Sequence, residues 1–181
     1  ALNVTDTGVI VIDSQYGVEV GTQNIFRTAE NLNKPILFAM NQLDGEKADY
    51  DIVINQMHET FGNRIVQVLD PLSCVPSFNA MIDVLLMKMY SWSPEGGTPT
   101  ISEIPESEME KARELNQKLV EAAAENDETL MEKFFEQGSL TEDEMREGIR
   151  KGLITRSIYP VFFVSALRDM GVRRMMEFLG N

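Results

Sequence analysis

The chain has 181 residues, of which 43% are apolar, 25% charged and 8% aromatic. That is the make-up of one globular domain, or one domain carrying a sizeable insertion, and it excludes a disordered segment or a fibre. Sixteen Lys and Arg against 29 Asp and Glu leave a formal net charge of −13, so a basic nucleic-acid footprint is absent and direct DNA binding is not expected.

The first uninterrupted apolar run is Val9-Ile10-Val11-Ile12, which reads as a strand covered on both faces. An amphipathic helix follows, with Ile25, Phe26, Ala29 and Leu32 on one face. Ile36-Leu37-Phe38-Ala39-Met40 reads as a second buried strand, and Tyr50, Val53, Ile54, Met57 and Phe61 as the inner face of a second helix closed by Gly62. The third run, Val161-Phe162-Phe163-Val164, precedes a last helix patterned by Val172, Met175, Met176 and Leu179. Strand and helix in alternation predict an α/β fold with a parallel sheet and right-handed crossovers.

Spacing locates an insertion. Val9 and Ile36 lie 27 residues apart, about one strand–helix–strand unit, whereas Ile36 and Val161 lie 125 apart, a surplus of roughly 95 residues. The expected division is residues 1–64 and 158–181 for the main domain and 65–157 for the insertion. Within the insertion, residues 64–69 and 80–92 read as strand-like, and Ser93-Pro94-Glu95-Gly96-Gly97-Thr98-Pro99 as a turn. Helices are expected over 107–125, over 127–137 ending at Gly138, and after Thr141. Ser107-x-x-Glu110 and Thr141-x-x-Glu144 both read as capping boxes. Residues 103–147 hold 15 acidic and 5 basic side chains, and so −10 of the net charge. On the helix over 107–125, Met109, Ala112, Leu115, Leu119, Ala122 and Ala123 share one face. Glu110, Glu114, Gln117, Glu121 and Glu125 line the other, which is either a solvated face or a docking surface for a basic protein.

Asn41-Gln42-Leu43-Asp44 follows the second buried strand and Ser165-Ala166-Leu167 follows the third. Ligands of open α/β sheets bind at the carboxyl ends of strands, so both loops stand where a ligand is read. An ionised carboxylate accepts from two adjacent donors, the N1–H and exocyclic amine of a guanine edge, a pair that adenine lacks. A backbone amide in the second loop would donate to the guanine carbonyl oxygen.

These two motifs resemble the fourth and fifth guanine-nucleotide boxes of translational GTPases. The long insertion, together with residues 81–92, 130–134 and 159–166, is similar to elongation factor G and its close relatives, in which the insertion is called the G-prime subdomain. The resemblance implies part of a P-loop-GTPase-type parallel sheet in three layers, with an inserted α+β subdomain. It implies guanine binding by Asn41, Gln42, Asp44, Ser165, Ala166 and Leu167, and contact of Glu110, Glu114, Gln117, Glu121 and Glu125 with the ribosomal stalk protein. It further implies a cytoplasmic parent that binds GTP or GDP with Mg²⁺ and moves transfer and messenger RNA on the ribosome. The chain departs from the family twice. Gln42 stands where Lys is usual, which keeps part of the stem over the base, loses the charge and points to a divergent paralogue. No G-x-x-x-x-G-K-[ST] phosphate loop and no metal-side Asp-x-x-Gly occurs. The chain is therefore expected to be a segment of a longer protein, with no catalytic residue, no metal ligand and no bound nucleotide of its own. The alternatives are another translational GTPase, such as release factor three or a ribosomal protection protein, and an autonomous acidic interaction module.

The remaining polar residues have plainer readings. His58 reads as a helix-surface histidine and Cys74, the single cysteine and so without a disulfide partner, as a small structural thiol. Leu86-Met87-Lys88-Met89 and Met175-Met176 read as core filling, Trp92 as an anchor for the insertion, Asp13 and Glu19 as turn and cap residues, and Arg173 and Arg174 as helix-surface charges. No apolar run nears the roughly 18 residues that would cross a bilayer, and no secretory signal opens the chain, so no membrane partner is expected.

Overall fold

In chain order the protein builds β1 (Gly8–Asp13), α1 (Val20–Asn31), β2 (Ile36–Asn41), α2 (Tyr50–Phe61) and β3 (Ile65–Gln67). The insertion carries β4 (Leu69–Pro71), β5 (Ala80–Asp83), β6 (Lys88–Ser91) and β7 (Thr100–Ser102), then α3 (Glu106–Ala124), α4 (Glu128–Gln137) and α5 (Glu142–Thr155). β8 (Tyr159–Phe163) and α6 (Val172–Gly180) follow. The computed structural model describes residues 2–72 and 79–180, and Cys74 lies outside them.

Four strands form a parallel sheet in the order β1-β2-β8-β3. Ile36–Met40 of β2 and all of β8 are buried, which is why both read as unbroken apolar runs. α1 and α2 cover one face. Phe26 and Phe61 pack 4.5 Å apart between their ring centroids, and Phe26 stands 5.2 Å from Tyr159 and Phe61 4.9 Å from Phe38. α6 covers the other face, with Phe178 4.9 Å from Phe162. The result is a three-layer α/β arrangement.

The edges depart from the sequence reading. Ile10 and Ile12 of β1 are buried, but Val9 and Val11 are 42% and 61% exposed. Val11 lies opposite Ala39, which lies opposite Phe162, so Val9 and Val11 share the α6 face. α6 has nine residues and packs over β8, leaving the edge strand open. On α1 only Phe26 and Ala29 are buried; Ile25 and Leu32 face outward. On α6, Met176 and Leu179 are exposed and the buried residue is Arg174, read from sequence as a surface charge.

Residues 64–69, read as one strand-like stretch, serve two sheets. β3 pairs parallel with β8, so the parallel sheet continues through Gln67, past the expected boundary at 64. The fully buried Val68 donates its N–H to Val161 O (3.0 Å) and accepts from Val84 N (2.9 Å). β4 then opens an antiparallel sheet, β4-β5-β6-β7. Residues 80–92 form a β5–β6 hairpin, with Leu86 N donating to Asp83 Oδ1 in its turn.

Charged side chains tie the insertion to the helices that cover the main sheet. The Arg174 guanidinium pairs with Asp83 of β5, both buried. Lys111 of α3 reaches the buried Asp70 of β4 at 2.7 Å and donates to Tyr50 Oη, at the start of α2, at 3.3 Å. Burial pushes the Asp70 carboxyl above its ordinary value, against the pull of Lys111. Removing one partner of the buried Arg174–Asp83 pair would cost about 3–5 kcal/mol, because the other charge is left without compensation.

The helix caps divide. Asp127 caps α4 through Thr129 N and Leu130 N, and Gly138, with φ +70°, ends it. The Thr141–Glu144 capping box is complete, with Glu144 N donating to Thr141 Oγ1 and Thr141 N to Glu144 Oε2 (2.9 Å). The Ser107–Glu110 box does not form. Pro105 takes the N-cap position, so Ser107 is already inside the first turn and its hydroxyl donates to Glu108 instead. Lys133, first, and the Thr141 amide hold the Glu144 carboxyl down at about 2 from the usual 4.5. Its contribution to stability is therefore present above pH 4.5 and lost as pH falls toward 2. Melting temperatures measured across that window should fall less steeply in Glu144→Gln than in the native chain; an identical acid limb would refute the cap's role.

Candidate functional site

β1 and β2 end level, with Asp13 opposite Asn41, and Ser14 N donates to Asn41 O at 2.9 Å. The chain then turns through Gln42, a non-glycine residue at φ +65°, and Gly45 N closes the turn on Gln42 O (2.9 Å). Leu43 is fully buried and pegs the loop to the core, while Asp44 beside it is half-buried. Asp49 N donates to Ser14 O and the Asp49 carboxylate caps α2 through Ile52 N. The loop of residues 41–49 is thus held at both ends.

The second loop leaves β8 one strand away. Val164 N continues the ladder by donating to Met40 O (2.8 Å). Ser165, fully buried, exchanges both backbone hydrogen bonds with Met170 at 3.0 Å, closing the base of a short turn. Arg168 N donates to Ser165 Oγ at 3.4 Å, and Ala166 and Leu167 stand exposed at the tip. Across the gap, Ala166 N donates to Asn41 Oδ1 at 2.9 Å.

This bond brings together Asn41, Ser165 and Ala166, 125 positions apart between its two ends, with Asp44 in the same loop as Asn41. The Ala166 amide, one of the backbone donors of the second loop, thus already has an acceptor in the Asn41 side chain. Since Oδ1 accepts there, Nδ2 is the Asn41 group left to donate to a ligand. Leu167 is 91% exposed and makes no part of the joined region. Gln42 is exposed, and its Oε1 accepts from Gln15 Nε2 at 2.9 Å.

Asp13 has its expected turn role, accepting from Gln15 N, whereas Glu19 occupies the N-cap of α1 without a side-chain cap bond. The sequence reading did not single out Gln15 or Gln56, whose Oε1 accepts from Val18 N at 3.1 Å, nor Arg168. No motif marks them, since their partners are distant in the chain.

On α3 the acidic stripe is presented as expected. Glu110, Glu114, Gln117, Glu121 and Glu125 are all exposed or half-buried, opposite the buried Ala112, Leu119 and Ala123. Lys118 holds the Glu114 carboxyl below its ordinary value, and Gln117 donates to Glu121. Half-buried His58 lines a cleft of about 440 Å³ between α2 and α3 together with Leu115, Lys118 and Glu121. Trp92, expected to anchor the insertion, is buried and stacks on Tyr90 of β6. Among the described residues no group of three His, Cys, Asp or Glu could hold a metal ion, and no helix is long and apolar enough to cross a membrane.

The sequence matches the family model described as the elongation factor Tu GTP binding domain over residues 1–181. Among solved structures the chain is similar to the crystal structure of a protein from Thermus thermophilus, with 27% identity and a TM-score of 0.87. The match covers 98% of this chain and 26% of that one, so this chain spans about a quarter of that protein's length.

The loop junction makes its own prediction. Asn41→Ala should expose the Ala166 amide and speed its hydrogen exchange about fivefold, the effect of losing a bond of roughly 1 kcal/mol. Asn41→Asp, which keeps an acceptor in place, should leave the exchange near the native rate. Equal protection in both variants would show that the loops are joined by something else.

Proposed function

The chain belongs to the family of elongation factor Tu GTP-binding domains, and from that premise we propose that it is the base-reading part of the GTP-binding domain of a ribosomal translocation factor of the elongation factor G kind. The observation that carries the reading is the Asn41–Ala166 bond, which joins the two loops that a purine edge would need to touch together. Asp44 accepts from the guanine N1–H and exocyclic amine. Asn41 Nδ2 donates to a ring acceptor. A guanine carbonyl oxygen competes with Asn41 Oδ1 for the Ala166 amide, and the buried Ser165 holds the loop that presents it.

The donor and acceptor set fits a guanine base and stops there. The sequence has no phosphate loop and no Asp-x-x-Gly, so the partners of the phosphates and of Mg²⁺ belong to the rest of a longer parent, as do any hydrolytic residues. Gln42, engaged with Gln15, has no positive charge to brace a phosphate loop, which supports a divergent paralogue. The insertion favours an elongation factor G-like parent over release factor three or a ribosomal protection protein. An autonomous acidic module is the weaker reading, because the family match spans the base-reading loops as well as the insertion. The parent would work on the ribosome in the cytoplasm, with the insertion that follows β3, residues 68–157, as its G-prime subdomain.

Charge-assisted hydrogen bonds contribute about 1.5–3 kcal/mol each. Less the cost of association, the few bonds available leave below about 4 kcal/mol net, so the isolated chain should bind GDP no more tightly than about millimolar by calorimetry. In the full-length parent, Asp44→Ala should weaken GDP binding about ten- to a hundredfold and remove the preference for GDP over ADP. Micromolar GDP binding by the isolated chain, or guanine selectivity that survives Asp44→Ala, would overturn the reading.

The acidic stripe on α3 is the surface we assign to the ribosomal stalk protein. Combining Glu114→Lys with Glu121→Lys in the parent should weaken that contact, more so at low salt, since exposed charges are screened over about 10 Å at 0.1 M. Unchanged stalk affinity would return the stripe to plain solvation.

A further inference from the structure

Beyond the Ser165–Met170 pair the tip of the second loop is held from two sides. Asn41 holds one, and the insertion holds the other. Gly96 N closes a turn on Ser93 O at 2.9 Å, and this turn lies directly on Arg168. Gly97 N donates to Arg168 O at 3.2 Å, and Arg168 Nη2 donates back to Pro94 O at 2.9 Å. Gly96, at φ +81°, passes so close that a Cβ there would collide with the Arg168 carbonyl oxygen and stand 2.8 Å from its carbon. The turn is rooted beside the buried Trp92, whose backbone N–H donates to Asn79 O at 2.8 Å. The insertion also meets the far end of the loop, where a Cβ on Gly171 would stand 3.1 Å from Met81 Cε of β5.

We infer that the turn of residues 93–97 is the back wall of the base-closing loop, and that Gly96 and Arg168 are positioning residues that set how long a guanine nucleotide is held. The inference rests on the base-reading proposal above and adds to it a part for the insertion. Ala166 lies two residues before Arg168, so a displacement of the Arg168 carbonyl is transmitted to the Ala166 amide through one tight turn. Retention of nucleotide then becomes a property of the insertion as well as of the sheet.

The test uses the full-length parent loaded with a fluorescent methylanthraniloyl GDP and chased with unlabelled GDP. Gly96→Ala forces a side chain into left-handed backbone and into Arg168. Gly138→Ala, at φ +70° with nothing within 4 Å of the added Cβ, carries the same backbone strain without the collision. Both should lower the melting temperature, but Gly96→Ala alone should speed GDP release, by about tenfold, with the association rate unchanged. Arg168→Ala, which leaves the backbone unstrained, should shift release in the same direction, and Arg168→Lys should restore part of the loss. Release at the native rate in Gly96→Ala and Arg168→Ala overturns the inference, as does an equal acceleration in Gly138→Ala. A native parent that retains no GDP overturns the base-reading proposal itself, and this inference with it.

Discussion

The Asn41 side chain accepts the Ala166 amide across 125 positions of sequence, and it does so because β2 and β8 lie side by side in one parallel ladder. That pairing requires the chain to leave the sheet and return beside its point of departure. It leaves through β3 and returns through β8, which are themselves neighbours, with Ile65 opposite Tyr159 and Tyr159 N donating to Arg64 O at 2.6 Å. The Arg64 side chain seals the same junction. Its guanidinium lies 4.6 Å from the Tyr159 ring centroid and donates to Tyr159 Oη and Glu30. A long excursion can then be accommodated without disturbing the register on which the two loops depend, since loop length adds little to the entropy of closure.

Charge plays two separate parts in this protein. The buried Arg174–Asp83 pair fastens the insertion to α6, and an uncompensated charge there would be costly, while Lys111 joins the buried Asp70 to Tyr50 at the start of α2. The exposed charges of α3 are solvated, and their pairs along the helix, such as Lys118 with Glu114, are screened by water and contribute little. Such a surface adds little to folding and remains available for recognition. The turn of residues 93–97 is bonded to Arg168 as well, so that the insertion and the loop after β8 form one continuous structure.

How legible an element is depends on where its partners lie. β2 and β8 are buried on both faces and announce themselves as unbroken apolar runs, and α4 and α5 are bounded by local caps at Asp127 and Thr141. Val9, Val11, Ile25, Leu32, Met176 and Leu179 read as covered because they are apolar, yet each sits at the rim of a packed face and is exposed. Three residues, Ile65–Gln67, fall to the insertion in the sequence because a stretch so short shows no periodicity, although β8 claims it for the parallel sheet. Ser107 carries the right spacing for a cap and loses the position to Pro105.

The same distinction runs through the candidate site. Asn41, Asp44, Ser165 and Ala166 stand out in the sequence, because the chemistry of a base edge demands particular donors and acceptors directly after a strand. Residue type and local spacing are written in neighbouring positions, so the α/β class, the existence of the insertion and the positions of the two candidate loops follow from them. The Asn41–Ala166 bond, the Gln15–Gln42 pair, the burial of Arg174 and the seating of Gly96 on Arg168 do not. Each is a contact between groups far apart in the chain. Such contacts exist only once register and packing have brought the groups within bonding distance.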